Sequence, residues 1–164
     1  MKEGQYNMDY SSFLDFLSTT AIDMTKKIAD LELHPAHHRM QEWEASDVAS
    51  FSIRTSGGFR ISLVLCAQRE LLREIARRMK RQDKVTSGDV EIYSGEYFNI
   101  VCGTFLSHVN NTLHTRTRFN VPCFTEGFYP AKSLDTNTWD ILPFECPYGV
   151  MELKIRDLDQ ESAS

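Results

Sequence analysis

One long helical pattern near the middle of the chain most constrains the fold. From about residue 89 to residue 113, apolar side chains recur at intervals of three and four, and at about 100° per residue they form one stripe along a helix. Thr86 or Ser87 is predicted to cap the start of this helix, whereas Gly95 argues against an unbroken helix. The stripe must be buried in a core, and it consists of Phe98, Val101, Cys102, Phe105 and Val109.

Two shorter helical patterns and several strand patterns accompany the long helix. Apolar spacings of three and four predict helices over residues 11–31 and 68–81. Ser56-Gly57-Gly58 predicts a tight hairpin between two strands. The predicted strands cover residues 48–55, 59–66, 123–129, 141–145 and 150–156. Together these elements predict an α+β fold in two layers, in which long helices pack on a mainly antiparallel β-sheet.

Length, charge and hydropathy indicate a single cytoplasmic domain. The 164 residues, 41% of them hydrophobic, suffice for one core, so we predict one domain over residues 1–158 and a disordered tail at 159–164. The net charge of -5 argues against a general nucleic-acid binder, which needs a basic surface. The longest apolar run, at 63–67, is far too short to cross a membrane, and residues 1–10 lack a signal-peptide pattern. We therefore expect a cytoplasmic protein without nucleic-acid or membrane partners.

The cysteines and a small histidine cluster do not predict a metal site. The cysteines lack the paired spacing of zinc ligands and fit buried, reduced thiols best; they are Cys66, Cys102, Cys123 and Cys146. Three histidines lie close together and could in principle bind zinc; they are His34, His37 and His38. Because no matched cysteine or carboxylate spacing accompanies them, we predict no metal and no intrinsic cofactor.

Four arginines recur at four-residue intervals along the second predicted helix. Glu70 and Glu74 lie beside them and partly neutralise their charge. The stripe is either a solvated helix face or a surface that docks an acidic protein. The arginines are Arg69, Arg73, Arg77 and Arg81.

A carboxylate and a carboxamide lie three residues apart in the long helix. Positions i and i+3 are neighbours on one helix face, so Glu96 and Asn99 point in the same direction. Ile100 and Gly103 belong to the same face, opposite the apolar stripe. A glycine in a helix interior costs roughly 1 kcal/mol relative to alanine, and close approach of a partner would account for Gly103. Taken alone, such a face is more typical of ordinary solvated surface than of a functional site.

The surroundings of this pair resemble a known family. The helix segment Glu96-Tyr-Phe-Asn99-Ile-Val-Cys-Gly103 follows an amphipathic helix at 71–79, which itself follows a Gly-Gly hairpin and the strand at 59–66. Pro122 comes after Asn99 with residues 100–121 between them. This order resembles the CheC/CheX/FliY family of bacterial chemotaxis phosphatases, and its single motif is most similar to the CheX type. The resemblance covers residues 10–157 and is most specific from 57 to 122.

The resemblance implies an activity and a role for each residue. The activity is hydrolysis of the aspartyl phosphate on a CheY-type response-regulator receiver, with Mg²⁺ bound by the receiver. Glu96 is implied to pair with a receiver lysine, Asn99 to orient the attacking water, and Pro122 to be structural. A neutral amide suits that role, because it can donate to and accept from water without repelling the phosphate. Homodimers whose sheets join are also implied.

One position departs from the family pattern. Ile92 lies four residues before Glu96, where family members often have Asp or Ser. Since Ile92 shares the face of Glu96, we expect it to give an apolar contact to the partner, together with Ile100 and Gly103. A second hypothesis is a non-catalytic, CheC-like interaction module that uses this face to bind a signalling or flagellar-switch partner.

Overall fold

Three helices pack on one antiparallel sheet in the computed structural model, which describes residues 9–37, 43–129 and 139–159. The helices are α1 (Tyr10–Ala29), α2 (Arg69–Lys80) and α3 (Ser87–Leu113). The strands are β1 (His34–Pro35), β2 (Val48–Ser56), β3 (Ile61–Gln68), β4 (Arg118–Phe119), β5 (Cys123–Glu126), β6 (Asp140–Cys146) and β7 (Gly149–Asp157). Their order is β1-β6-β7-β3-β2-β4, and β5 also pairs with β2. The predicted α+β fold is confirmed; residues 160–164 of the predicted tail lie outside the described residues.

The central strand β3 is buried on both faces. Alternate residues Leu63 and Leu65 face the helices and belong to the main core. Val64 and Cys66 face the other side, where they cluster with Trp139. The strand pattern predicted one buried face at least, and the second is covered because a distant part of the chain packs on it.

The glycine hairpin between β2 and β3 is present as predicted. Arg54 pairs with Ser62, so the two strands are joined by a short turn. Gly57 has a φ of +109°, and a Cβ there would lie 2.6 Å from the carbonyl oxygen of Arg116. Only glycine fits this position, because a side chain would be both strained and in collision with the backbone.

Thr86 caps the start of helix α3, as predicted. Its side chain accepts a hydrogen bond from the backbone N–H of Asp89, and the Asp89 carboxylate accepts one from the backbone N–H of Thr86 in return.

Two flanks of helix α3 are held in the core. Towards α1, the hydroxyl of Tyr97 is 2.5 Å from that of Thr25. Towards the sheet, the ring of Phe98 packs against Phe51. All five residues of the predicted apolar stripe are buried.

Several predicted details were wrong. Gly95 does not interrupt α3; its position lies against the ring of Phe51, where a Cβ would be a tight 3.3 Å from the ring. The strands β1 and β4 were not predicted, since a two-residue strand carries no alternation that could be recognised. Of the free cysteines, Cys66 and Cys102 are buried as expected, but Cys123 is exposed and Cys146 is half-buried. Burial raises the pKa of the Cys102 thiol.

Candidate functional site

The third flank of α3 is open. Each residue of an α-helix is rotated by about 100° from the one before it. On this basis, the five residues predicted to contact the partner or to catalyse the reaction fall within an arc of roughly 100° around the helix axis. Ile92 and Glu96 are exposed, and the other three are half-buried. The structure therefore brings together, on one surface, the predicted residues Ile92, Glu96, Asn99, Ile100 and Gly103.

The edge of the sheet lies beside this open flank. A Cβ at Gly95 would lie 3.3 Å from the ring of Phe51, whose neighbour across the strands is Phe124 of β5. A Cβ at Gly103 would lie 4.0 Å from the ring of Phe119 in β4. Asn99 is four residues from each glycine, so its helical turn lies between these two contacts. The connection from β4 to β5 consequently runs alongside Asn99.

Pro122 lies in that connection and is half-buried. Its ring fixes φ close to −65° and removes a backbone donor, which suits a residue that precedes the short edge strand β5. The predicted structural role of Pro122 is compatible with this position. Its partner in shaping the connection, Asn120, was not predicted. The backbone N–H of Asn120 donates to the Arg54 carbonyl at 3.3 Å, and its side-chain oxygen accepts from the Arg54 N–H at 2.7 Å.

A second asparagine shapes the approach to the edge strands. The amide of Asn110 donates to the Thr117 carbonyl at 2.9 Å and accepts from the Thr117 N–H at 2.9 Å and the Thr115 hydroxyl at 2.8 Å. Asn110 shares the polar side of α3 with Asn99, and the sequence pattern treats both alike. The structure separates them: Asn110 is used within the fold.

Glu96 and Asn99 have no such internal use. Neither side chain makes a hydrogen bond or an ion pair with another residue in the part of the chain that the structure describes. A carboxylate can bind a cation, and a carboxamide can both donate and accept a hydrogen bond. The pair is therefore free to contact a partner molecule, with Asn99 closer to the sheet edge and Glu96 further out on the helix.

The arginine stripe on α2 is largely engaged within the fold. Arg69 contacts the Ser46 carbonyl and the Glu126 carboxylate, and Arg73 donates to the Val85 carbonyl at 3.4 Å. Hydrogen bonds from Arg77 and Arg78 hold the pKa of the Glu74 carboxyl below its usual value. These contacts favour the interpretation of a structural, partly solvated helix face over a dedicated docking surface.

The histidine cluster falls partly outside the described residues, because it includes His38. His34 and His37 are exposed. Within residues 9–37, 43–129 and 139–159, no three side chains of His, Cys, Asp or Glu are grouped so that they could hold a metal ion. In the same ranges, no helix is both long and apolar enough to cross a membrane.

Comparison with solved structures supports the fold over nearly the whole chain. A chemotactic CheC-like protein from Shewanella oneidensis superposes with a TM-score of 0.71 at 20% identity, covering 90% of this chain and 99% of that chain. The CheX protein of Vibrio vulnificus gives a TM-score of 0.70 at 20% identity, covering 88% and 95%. A chain from the CheX-CheY-BeF3-Mg²⁺ complex of Borrelia burgdorferi gives 0.63 at 14% identity, covering 88% and 96%.

Sequence comparison identifies the family. Among curated proteins, none shows significant similarity to the chain. Residues 49–137, more than half of the chain, match the family described as "Chemotaxis phosphatase CheX". This segment contains α2, α3, β4 and β5, and with them every predicted site residue. The chain belongs to the CheX family of chemotaxis phosphatases.

Proposed function

We propose that this protein hydrolyses the aspartyl phosphate of a CheY-type receiver, with Asn99 orienting the water and Glu96 binding the receiver. The observation that carries the proposal is that these two side chains are available to contact another molecule. They lie on the open flank of α3, have no partner among the described residues, and belong to a chain of the CheX family. The CheX-CheY complex among the structural neighbours supports a receiver of the CheY type as the partner.

The chemistry requires little from the phosphatase beyond positioning. The water oxygen attacks phosphorus opposite the aspartyl oxygen; the P–O bond to the aspartate breaks, and the receiver regains its carboxylate. The products are that carboxylate and inorganic phosphate, and the proton of the water passes to the phosphate or to solvent. Positioning and charge stabilisation dominate catalysis of phosphoryl transfer. Correct positioning of a reactant is worth up to about 7–11 kcal/mol in favourable cases.

Asn99 has the chemistry to position this water. Its side-chain oxygen can accept a hydrogen bond from the water while its amide group donates to the phosphoryl oxygens. A carboxylate at the same place would repel the phosphoryl group and would attract a proton instead. The Mg²⁺ bound by the receiver belongs to the substrate.

Glu96 is suited to binding rather than to chemistry. It is one helical turn from Asn99 and more exposed. A carboxylate at this distance can pair with a lysine beside the receiver's phosphorylation site, and such a pair would fix the register of docking. The receiver acts in the cytoplasm, where we place this protein too. The homodimer is a prediction that rests on the family resemblance.

The decisive experiment measures phosphate loss from a phosphorylated CheY-type receiver. Asn99→Ala should reduce the stimulated rate to near the receiver's own rate while the variant still binds the receiver. Asn99→Asp should also reduce the stimulated rate, since aspartate matches asparagine in size but adds a negative charge. Asn111→Ala is the matched control, because Asn111 is an exposed asparagine on the same helix outside the open flank. Full activity of Asn99→Ala would refute the mechanism.

Glu96 is tested by the receiver concentration that gives half of the maximal rate. Glu96→Ala and Glu96→Lys should raise that concentration, with the larger effect for the charge reversal. Glu91→Ala is the control, because Glu91 is an exposed glutamate in the first turns of α3. An equal effect of both alanine variants would mean that Glu96 contributes only net charge.

The alternative function is a non-catalytic interaction module. The 69% exposure of Ile92 on the open flank favours a binding surface whether or not hydrolysis occurs. If the wild-type protein binds the phosphorylated receiver without shortening the lifetime of its phosphate, the module is the correct interpretation.

A further inference from the structure

We propose that the β4–β5 connection, residues 120–122, forms a second wall of the receiver-docking surface, with Val121 as an apolar contact to the receiver. The inference rests on the proposed function, because a phosphorylated receiver is the occupant to which it commits. It extends the contact surface from a single helix to the neighbouring sheet edge.

Val121 is the most exposed large apolar residue in the part of the chain that the structure describes. Its exposed fraction is 81%, followed by 69% for Ile92. The other two exposed large apolar residues, Tyr10 and Tyr148, each use the hydroxyl in a hydrogen bond within the fold. Val121 and Ile92 have no polar group to use in this way. Apolar side chains are typical of the core of protein interfaces, which a polar rim surrounds.

The position of Val121 follows from the packing of the edge strands. Phe119, two residues before it, lies at Gly103, and Phe124, three residues after it, packs on the ring of Phe51 at 5.3 Å between centroids. Gly95 faces Phe51 in turn. The chain thus passes from the level of Gly103 to that of Gly95 between Phe119 and Phe124. We infer that Val121, between them, lies at the level of Asn99, where a partner bound at Asn99 would contact it.

The connection is fixed before a partner arrives. Asn120 is bonded to Arg54 through both its backbone and its side chain, at 3.3 and 2.7 Å. Pro122 restricts the backbone on the other side of Val121. A contact that is held in place in the free protein loses little conformational entropy on binding. Val121 is thus a suitable anchor residue, even though it lies in a loop.

The occupant follows from the continuity of this wall with the open flank of α3. The connection adjoins the helical turn of Asn99, so the molecule that binds Glu96 and Asn99 is the one that reaches Val121. In the proposed function that molecule is the phosphorylated receiver. Arg54 and Arg118 do not line this surface, because they pair with Ser62 and Ser56 on the face of the sheet that points away from α3. The proposal therefore commits to a receiver whose surface beside the phosphorylation site is apolar.

The experiment combines two readouts on one set of variants. Binding is measured by titration of the receiver activated with BeF3⁻ and Mg²⁺, in which BeF3⁻ takes the place of the phosphoryl group. Turnover is measured with the phosphorylated receiver over a range of concentrations. The variants are Val121→Asp, Val121→Ala and Val121→Ile, with Ser12→Asp as a control that adds the same charge at an exposed position of α1.

Val121→Asp should weaken binding and raise the half-saturating receiver concentration by roughly tenfold or more, the size of a loss at an interface anchor. Val121→Ala should have a smaller effect, and Val121→Ile should behave as the wild type. The rate at saturating receiver should stay near the wild-type value for all three.

The outcomes separate this inference from the proposed function. If Asn99→Ala abolishes turnover but Val121→Asp changes neither readout, the function stands and the second wall is wrong. If the wild type binds the receiver without turnover and Val121→Asp loses binding, the second wall stands and the hydrolytic function is wrong. If the wild type does not bind the activated receiver, both are overturned.

Discussion

The Gly103→Ala substitution should stabilise α3 and weaken receiver binding at the same time. A Cβ at Gly103 would meet only the ring of Phe119, at 4.0 Å, which is an ordinary van der Waals distance. The helix therefore has room for alanine. Relative to glycine, alanine in a helix interior is worth about 1 kcal/mol, mostly through the conformational entropy of the unfolded chain. For a domain of this size, that gain corresponds to a rise in Tm of about 2–4 °C.

The same methyl group would stand in the proposed docking surface. If the receiver approaches the backbone of α3 at Gly103, an inserted methyl group costs roughly 1–3 kcal/mol of binding. Even the lower value raises the half-saturating receiver concentration about fivefold. Gly103→Ala should thus raise the free energy of unfolding, measured by urea titration, and also raise the receiver concentration needed in the phosphatase assay.

Gly95→Ala is the matched comparison on the same helix. Its Cβ would lie 3.3 Å from the ring of Phe51, which is buried and packed between Phe98 and Phe124. Overpacking of about 1–3 kcal/mol then offsets or exceeds the gain in helix propensity. We expect unchanged or lower stability there. If Gly103→Ala stabilises the protein and leaves receiver binding at the wild-type level, the reasoning that assigns Gly103 to partner approach is refuted.

Two further predictions concern the interactions that hold α3. Tyr97→Phe removes the hydroxyl that lies 2.5 Å from the Thr25 hydroxyl in a buried site. Because Thr25 keeps its own bond to the Ala21 carbonyl, the free energy of unfolding in urea titration should fall by only about 1 kcal/mol. An unchanged free energy of unfolding would mean that the Tyr97–Thr25 pair contributes nothing to stability. The hydrogen bond from Lys80, with the capping contacts of Thr86, lowers the pKa of the Asp89 carboxyl group. The ionised carboxylate therefore stabilises the fold above about pH 4. This contribution to the free energy of unfolding is lost as the pH falls through the lowered pKa. Asp89→Asn should therefore lower Tm at pH 7, with the difference from wild type shrinking below about pH 4; a difference independent of pH would contradict this assignment.

The long elements of the fold could be predicted because each carries its own periodicity. The stripe of α3, the alternation of β7 and the glycine hairpin are local signals, and the structure contains all three. The edge could not be predicted in the same way. β4 has two residues, and beside its pairing with β2 the Asn120 side chain bonds to Arg54, which is 66 positions away in the chain. The helix face of the site was therefore readable from the sequence, whereas its neighbour Val121 was not.

The buried flanks of α3 explain how an exposed pair could act with the accuracy that phosphoryl transfer requires. Two residues that are fixed in the core lie between Glu96 and Asn99 in the sequence: Tyr97 bonds to Thr25 of α1, and Phe98 packs on the sheet. The helix cannot roll about its axis without breaking these contacts, so the direction of the Asn99 side chain is set by its neighbours in sequence. A displacement of about 1 Å can cost 10²-fold in rate when a reactant must be aligned. Placing the amide on a helix that is locked on two flanks, rather than in a loop, supplies that alignment before the receiver binds.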